Sequence, residues 1–146
     1  PCIALDNNLQ FQTAPHPAGP VETLRFTSYL NKISAEDLRN DQLKVLRFKF
    51  ELSEDMEVAV MFNTPSSSWV WVDEDYMFGR ESGRMAPSFH RCPVNQRVFV
   101  QLKAGRHTMT VGLMRNGDER EIEFNIGLGY ELDKQWLLSP FITFYE

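Results

Sequence analysis

Apolar and polar residues alternate along most of this chain, which is the pattern of β-strands that bury one face. The clearest run covers residues 46–52, and a second run over residues 56–62 follows the polar turn at residues 53–55. Because so short a turn separates them, the two runs are predicted to form a hairpin. Their apolar members are Leu46, Phe48, Phe50, Leu52, Met56, Val58, Val60 and Phe62.

An earlier stretch of the chain predicts one strand and one short helix. Residues 24–30 place Leu24, Phe26 and Leu30 on one face of a half-buried strand. Residues 34–38 begin with a serine suited to an N-cap and continue with acidic residues, which favours one or two helical turns.

The second half of the chain predicts further strands. Residues 98–102 and 107–113 are expected to form a second hairpin, and the Asn116-Gly117 turn then leads into a strand over residues 122–128. The final run, residues 141–145, is expected to pair with the first strand. About eight strands and one short helix indicate an all-β fold, an antiparallel β-sandwich of the jelly-roll kind.

The 146 residues suffice for one domain. Residues 1–20 contain four prolines and are predicted to be an N-terminal arm or loop, and residues 21–146 a single sandwich domain. A long surface loop is expected over residues 79–94. Because the chain starts at Pro1, we interpret it as a processed or excised form.

The net charge of −5, from 20 acidic and 15 basic residues, argues against nucleic acid as the main partner. No apolar run approaches the roughly 20 residues of a membrane span, so we expect a soluble domain. Cys2 and Cys92 are the two cysteines, and they form either one bridge or free thiols.

Catalytic constellations are weak in this sequence. His90 and Cys92 form one ligand pair without a second pair of zinc-site spacing. Glu121 and Glu123 share a strand face about 7 Å apart by strand geometry, a spacing seen in glycosidases but ordinary on an exposed sheet. The prediction is therefore a protein that binds rather than catalyses, with a small enzyme using these residues as a third hypothesis.

The tryptophans at alternate positions of the strand over residues 69–72 are the most informative feature. If Val70 and Val72 face the core, two indoles form an apolar platform on which sugar rings stack; otherwise the tryptophans are core residues. Polar groups would orient a polyol above such a platform. The candidate ligand-binding residues are Trp69, Trp71, Asp73, Asp75, Tyr76, Gln101 and Asn125.

The segment Leu102-Lys103-Ala104-Gly105-Arg106-His107-Thr108-Met109-Thr110-Val111 resembles a hairpin of carbohydrate-binding modules and related β-sandwich accessory domains. The resemblance implies a non-catalytic module that acts beside a polysaccharide-active enzyme, usually with a structural calcium. Asp73 and Asp75 lie on the same side of an extended chain and suit either calcium or a solvated turn.

The leading hypothesis is a secreted carbohydrate-binding module that recognises a polysaccharide or other glycan through exposed aromatic side chains. The alternative is a structural or protein-interaction sandwich, such as a virion, adhesin or toxin subunit, whose aromatic face is buried against a protein partner.

Overall fold

The computed structural model describes residues 2–4, 14–15, 25–26, 30–83, 97–132, 135–138 and 141–145. None of these residues is helical, and so none of them belongs to a helix long and apolar enough to cross a membrane. Their strands are β1 (Cys2–Ala4), β2 (Asn31–Ser34), β3 (Gln42–Leu52), β4 (Met56–Asn63), β5 (Ser67–Val72), β6 (Asp75–Arg80), β7 (Arg97–Leu102), β8 (Gly105–Met114), β9 (Glu121–Leu132), β10 (Gln135–Leu138) and β11 (Ile142–Tyr145).

These strands form two antiparallel sheets. In the first sheet the order is β1-β3-β8-β5-β6, and β11 also pairs with β3. In the second sheet the order is β10-β9-β4-β7, and β2 also pairs with β9. The predicted antiparallel β-sandwich is thus confirmed.

The core lies between the sheets and is built from alternate residues of the long strands. Phe124 of β9 packs against Phe48 of β3 at a ring-centroid distance of 6.3 Å, and against Phe62 of β4 at 5.3 Å. Each buried aromatic side chain removes a large apolar area from water, which is the main stabilising contribution to such a fold. The face of each sheet that points away from this core is its outer face.

The two long runs of the first half do not form the predicted hairpin. β3 belongs to the first sheet and β4 to the second, so the turn at residues 53–55 carries the chain across the sandwich. The predicted hairpins of β7 with β8 and of β8 with β9 do not form either, because β8 lies in the first sheet and both β7 and β9 lie in the second. Gly105 and Gly117 nevertheless adopt the positive φ values typical of turns. Alternation determines which face of a strand is buried, but it contains no information about the partner strand.

The predicted helix over residues 34–38 is also wrong. Ser34 ends β2 by pairing with Glu121, and the Ala35 N–H donates to a backbone carbonyl just before β9 at 2.8 Å. The Leu38 N–H then donates to the Ala35 carbonyl at 3.1 Å and closes a single turn. Pairing with β9 outweighs the weak local helix preference of this segment.

Residues 24–30 are described only in part, and the described ones lie outside any strand. Phe26 still packs against the core, with ring centroids 5.1 Å from those of both Phe48 and Phe144. Leu30, predicted to be buried on the same face, is 39% exposed.

The ends of the chain meet on one edge of β3. β11 pairs with the end of β3 near Leu52, whereas β1 pairs with the end near Lys44. The last strand was predicted to pair with a strand over residues 24–30, but the described residues of that segment form no strand, and β11 pairs with β3. β1 itself lies within residues 1–20, the segment predicted to be an arm.

Candidate ligand-binding surfaces

The tryptophan-bearing strand β5 lies between β6 and β8 in the first sheet. Val70 and Val72 are buried in the main core, so Trp69 and Trp71 point to the outer face. The valines therefore adopt the orientation that a tryptophan platform requires.

Trp71, however, does not form an exposed platform. Its side chain is completely buried, whereas Trp69 is half-buried. On the same face, Leu43 and Val45 of β3 and Thr110 of β8 are buried as well. Neither of the two alternatives from the sequence holds in full: the valines face the core, but Trp71 is buried because the outer face of this sheet carries an apolar layer of its own.

Residues 14–15 lie against the same outer face. Ala14 is 2% exposed, and the Pro15 carbonyl accepts a hydrogen bond from Arg47 Nη2 at 3.1 Å. Part of the segment predicted to be an arm is thus packed on the first sheet.

A β-bulge brings Tyr76 over the buried indole. Val70 pairs with Phe78, but Trp71 pairs with Tyr76, so Met77 is the additional residue in β6. Without the bulge, Tyr76 and Phe78 would point to the same face; with it, Phe78 enters the core and Tyr76 packs edge-on to Trp71 at 5.9 Å. Tyr76 remains 39% exposed.

Trp69 pairs with a glycine on each side, Gly79 in β6 and Gly112 in β8. A Cβ atom at Gly79 would lie 2.7 Å from Trp69 Cδ1 and 2.6 Å from the Tyr76 hydroxyl oxygen, and one at Gly112 would lie 3.6 Å from Trp71. Gly79 therefore leaves the space that the two rings occupy, whereas a Cβ at Gly112 would first meet Leu43 Cδ1, at 3.2 Å. We refer to Trp69, Tyr76 and Gly79 together as the Trp69–Tyr76 surface.

The polar groups beside this surface suit a neutral, hydroxyl-rich ligand. Partial burial raises the pKa of the Tyr76 hydroxyl, which keeps it protonated and able to donate. Asp75, the preceding residue, is exposed and offers carboxylate oxygens as acceptors. An aromatic ring with a few polar groups at its edge is the usual composition of a sugar-binding site.

Asp73 belongs to a different cluster, at the turn before β6. Its backbone has the positive φ of 54°. Its carboxylate accepts one hydrogen bond from His107 Nδ1 at 2.9 Å and another from the Thr108 N–H at 3.0 Å. The carboxylate thus joins this turn to β8.

The two ring nitrogens of His107 both face acceptors. Nδ1 contacts Asp73, and Nε2 lies 2.7 Å from the Lys103 carbonyl, so only the doubly protonated ring donates to both. Burial lowers the pKa of His107, but the hydrogen bonds to Asp73 and Lys103 and the charge of Asp73 together raise it above its usual value. The side chain also stacks on Phe50, with centroids 5.5 Å apart.

Asp55 connects the turn between β3 and β4 with the turn between β7 and β8. Its carboxylate accepts from Lys103 Nζ at 2.9 Å and from the Ala104 N–H at 2.8 Å. The hydrogen bonds from Lys103 and Ala104 lower the pKa of Asp55. Three turns are therefore linked through Asp55, Lys103, His107 and Asp73.

These contacts do not fit calcium bound by Asp73 and Asp75. Both oxygens of Asp73 already accept hydrogen bonds, one from His107 Nδ1 and one from the Thr108 N–H, which leaves fewer lone pairs for a metal ion. Within the described part of the chain, no three His, Cys, Asp or Glu side chains are grouped to hold a metal. His90 and Cys92, the predicted zinc-type pair, lie outside the described residues, as does the proposed Cys2–Cys92 bridge.

Gln101 and Asn125 lie far from the tryptophans in the fold, because both belong to the second sheet. Gln101 Nε2 of β7 donates to Glu57 of β4 at 3.2 Å, and both side chains are exposed. Asn125 is 2% exposed on β9, opposite Asn63. The predicted set is thus divided between two sheets, and only its β5 and β6 members share a surface.

The second sheet carries a groove that no sequence pattern predicted. It has a volume of about 670 Å³ and is lined by Ser34, Glu36, Pro65, Glu119, Arg120, Glu121 and Glu123. Glu121 and Glu123 are the predicted pair on one strand face, and Glu119 precedes them by two residues, just before β9. Glu36 comes from the turn after β2, and its distance along the chain hides its proximity to the other three.

No protein-family model and no curated protein matches the chain. Among solved structures, the chain is similar to the crystal structure of beta-glucosidase from Kluyveromyces marxianus in complex with glucose, with 12% sequence identity and a TM-score of 0.51. The match covers 86% of this chain but 18% of that chain, so this sandwich spans less than a fifth of the enzyme's length. At this identity, the similarity concerns the fold alone.

Proposed function

We propose that this protein is a non-catalytic glycan-binding module and that the Trp69–Tyr76 surface is where the sugar stacks. The observation that carries the proposal is Tyr76, which is 39% exposed while its ring is braced by the buried Trp71. A braced aromatic side chain loses little conformational entropy on binding, which favours recognition.

The fold supports the same function. The solved structure to which the chain is similar is a beta-glucosidase in complex with glucose, and the match covers a minor part of that enzyme. A sandwich of this size within a carbohydrate-active protein is consistent with an accessory module. The function is proposed here from this likeness and from the aromatic surface together.

The test is affinity electrophoresis on a panel of soluble polysaccharides, followed by calorimetry on those that retard the protein. Tyr76→Ala and Trp69→Ala should each weaken binding about tenfold or more, because a central aromatic contact contributes on the order of 2 kcal/mol. The free energy of unfolding of each variant is measured alongside.

Phe99→Ala is the matched control, since Phe99 is 44% exposed but lies on β7 of the other sheet. It should leave glycan affinity unchanged. Equal losses from Phe99→Ala and Tyr76→Ala, or no binding of the wild-type protein to any polysaccharide, would contradict the proposal. Self-association in the second case would support the alternative of a protein-interaction sandwich.

A further inference from the structure

The groove on the second sheet is strongly acidic. Four of its lining residues are glutamates and one is an arginine. Glu119 is held in place, because it accepts hydrogen bonds from Ser66 Oγ at 2.9 Å and from the Asn116 N–H at 2.6 Å. Glu123 forms an exposed ion pair with Lys32 at 3.3 Å.

Glu36 and Glu121 differ from Glu119 and Glu123 in their contacts. Neither side chain has an ion-pair partner among the residues that the structure describes. Both line the same groove, at the ends of β2 and β9. Their charges therefore remain available to a cation that enters it.

A small recess adjoins the groove. Its volume is about 20 Å³, and it shares Pro65 and Glu123 with the groove lining. Leu30, Asn63, Thr64, Phe124 and Asn125 complete its walls. A space of this size accepts one water-sized group, such as a hydroxyl.

Asn63 in the wall of the recess has a buried side-chain amide without a hydrogen-bond partner among the described residues. It is 1% exposed, and among the described residues neither its amide oxygen nor its amide nitrogen has a hydrogen-bond partner. Leaving such a group unsatisfied costs roughly 1–3 kcal/mol. A hydroxyl group satisfies both atoms at once, because it donates to the oxygen and accepts from the nitrogen.

We propose that the groove and the recess form a second ligand site, which takes a cationic, hydroxyl-bearing ligand with the chemistry of an amino sugar. The hydroxyl enters the recess at Asn63, and the ammonium group lies between Glu36 and Glu121. Because the recess and the groove share Pro65 and Glu123 in their walls, one ligand can reach both. An amino sugar carries a hydroxyl and an ammonium group on one rigid ring, whereas a peptide carries them on separate side chains. This site lies on the second sheet and does not depend on the Trp69–Tyr76 surface.

Calorimetry with a glucosamine tetramer at about pH 5.5, where its amino groups are protonated, tests the proposal. The N-acetylated tetramer and cellotetraose keep the ring shape without the charge and should bind at least about tenfold more weakly. Raising the salt concentration should weaken binding of the glucosamine tetramer. Equal binding of all three tetramers, or equal binding of a short lysine- and serine-containing peptide, would overturn the proposal.

Glu36→Gln with Glu121→Gln should lower the affinity for the glucosamine tetramer about tenfold, since each exposed charge contributes up to roughly 1 kcal/mol. Glu51→Gln with Glu54→Gln is the matched control: it removes the same charge near the β3–β4 turn and should leave the affinity unchanged. Equal effects of the two double variants would reduce the inference to general charge attraction and overturn it. Because all four side chains are exposed or half-exposed on the surface, these variants should fold.

Asn63→Leu gives a second, independent readout. Removing an unsatisfied amide should raise the free energy of unfolding while it weakens binding of the glucosamine tetramer. A stabilised variant with unchanged affinity, or a destabilised variant that still binds like the wild type, would show that Asn63 does not contact the ligand. Trp69→Ala and Tyr76→Ala should not alter this binding, which separates failure of this site from failure of the Trp69–Tyr76 surface.

Discussion

At the residue scale, Trp71 and Trp69 differ although they alternate on the same strand. Trp71 is fully buried beneath Tyr76, whereas Trp69 lies half-buried between two glycines. A sequence period of two assigns both to one face, and this was correct. Burial on that face depends on what packs above it, which the period does not contain.

We expect Trp71→Ala to lower the free energy of unfolding by about 3–5 kcal/mol, the usual cost of removing a large buried aromatic side chain. Trp69→Ala should cost clearly less, because its side chain is only half-buried. Urea unfolding of both variants measures the difference. Equal losses would contradict the distinct positions of the two indoles.

His107 should make stability depend on pH. Its pKa is raised in the folded protein, so its stabilising contribution is fully present below the unfolded value of about 6.5 and is lost as the pH rises through the folded value. The difference in free energy of unfolding between the wild type and His107→Gln should therefore shrink as the pH increases above about 6.5.

Urea unfolding of both proteins across this pH range is the measurement. Asp73→Asn is the companion variant, since it removes the charge that faces His107 Nδ1 at 2.9 Å and should weaken the pH dependence. If the difference in free energy of unfolding between the wild type and His107→Gln stays constant or grows as the pH rises, His107 is not stabilised in its protonated form.

At the element scale, the bulge in β6 creates the Trp69–Tyr76 surface. It moves Tyr76 to the outer face while Phe78 stays in the core. Gly79 then provides room for Tyr76 and Trp69 above the strand. The surface thus requires both an additional residue and a missing side chain.

We expect Gly79→Ala to displace both rings, because its Cβ would lie 2.6 Å from the Tyr76 hydroxyl oxygen and 2.7 Å from Trp69 Cδ1. Overpacking of this kind costs about 1–3 kcal/mol, and glycan affinity should fall several-fold. Gly83→Ala is the control, since its nearest neighbouring atom lies at 3.6 Å. Unfolding curves and calorimetry on both variants check this, and unchanged affinity in Gly79→Ala would argue against the surface.

The long strands were predictable, but the short strands β1, β2, β6 and β10 and the pairing of the strands were not. The alternation in β3, β4 and β9 identified the core-facing residues correctly, because burial of one face enforces a period of two. The predicted hairpins between β3 and β4 and between β7 and β8 were wrong, since each pair divides between the sheets. Partner choice depends on long-range packing across the whole sandwich, which a local pattern does not encode.

At the scale of the whole molecule, the two sheets present different chemistry. The first sheet carries the half-buried aromatic surface, and the second carries the acidic groove with Asn63 beside it. Gln101 and Asn125 were candidates for the polar groups that orient a sugar beside the tryptophans. The fold places both of them in the second sheet, whereas the tryptophans lie in the first. From sequence, the aromatic strand was recognisable, whereas the groove was not, because Glu36 lies far along the chain from Glu119, Glu121 and Glu123.

The most direct test of the glycan-binding surface is an NMR titration of the ¹⁵N-labelled protein with the polysaccharide fragment that binds best. Chemical-shift changes should concentrate on the backbone amides of Trp69, Tyr76 and Gly79 and on the indole N–H of Trp69. The amides of Phe99 and Gln101 on the second sheet should remain unchanged. Changes confined to the second sheet, or none at saturating fragment, would contradict the proposed site.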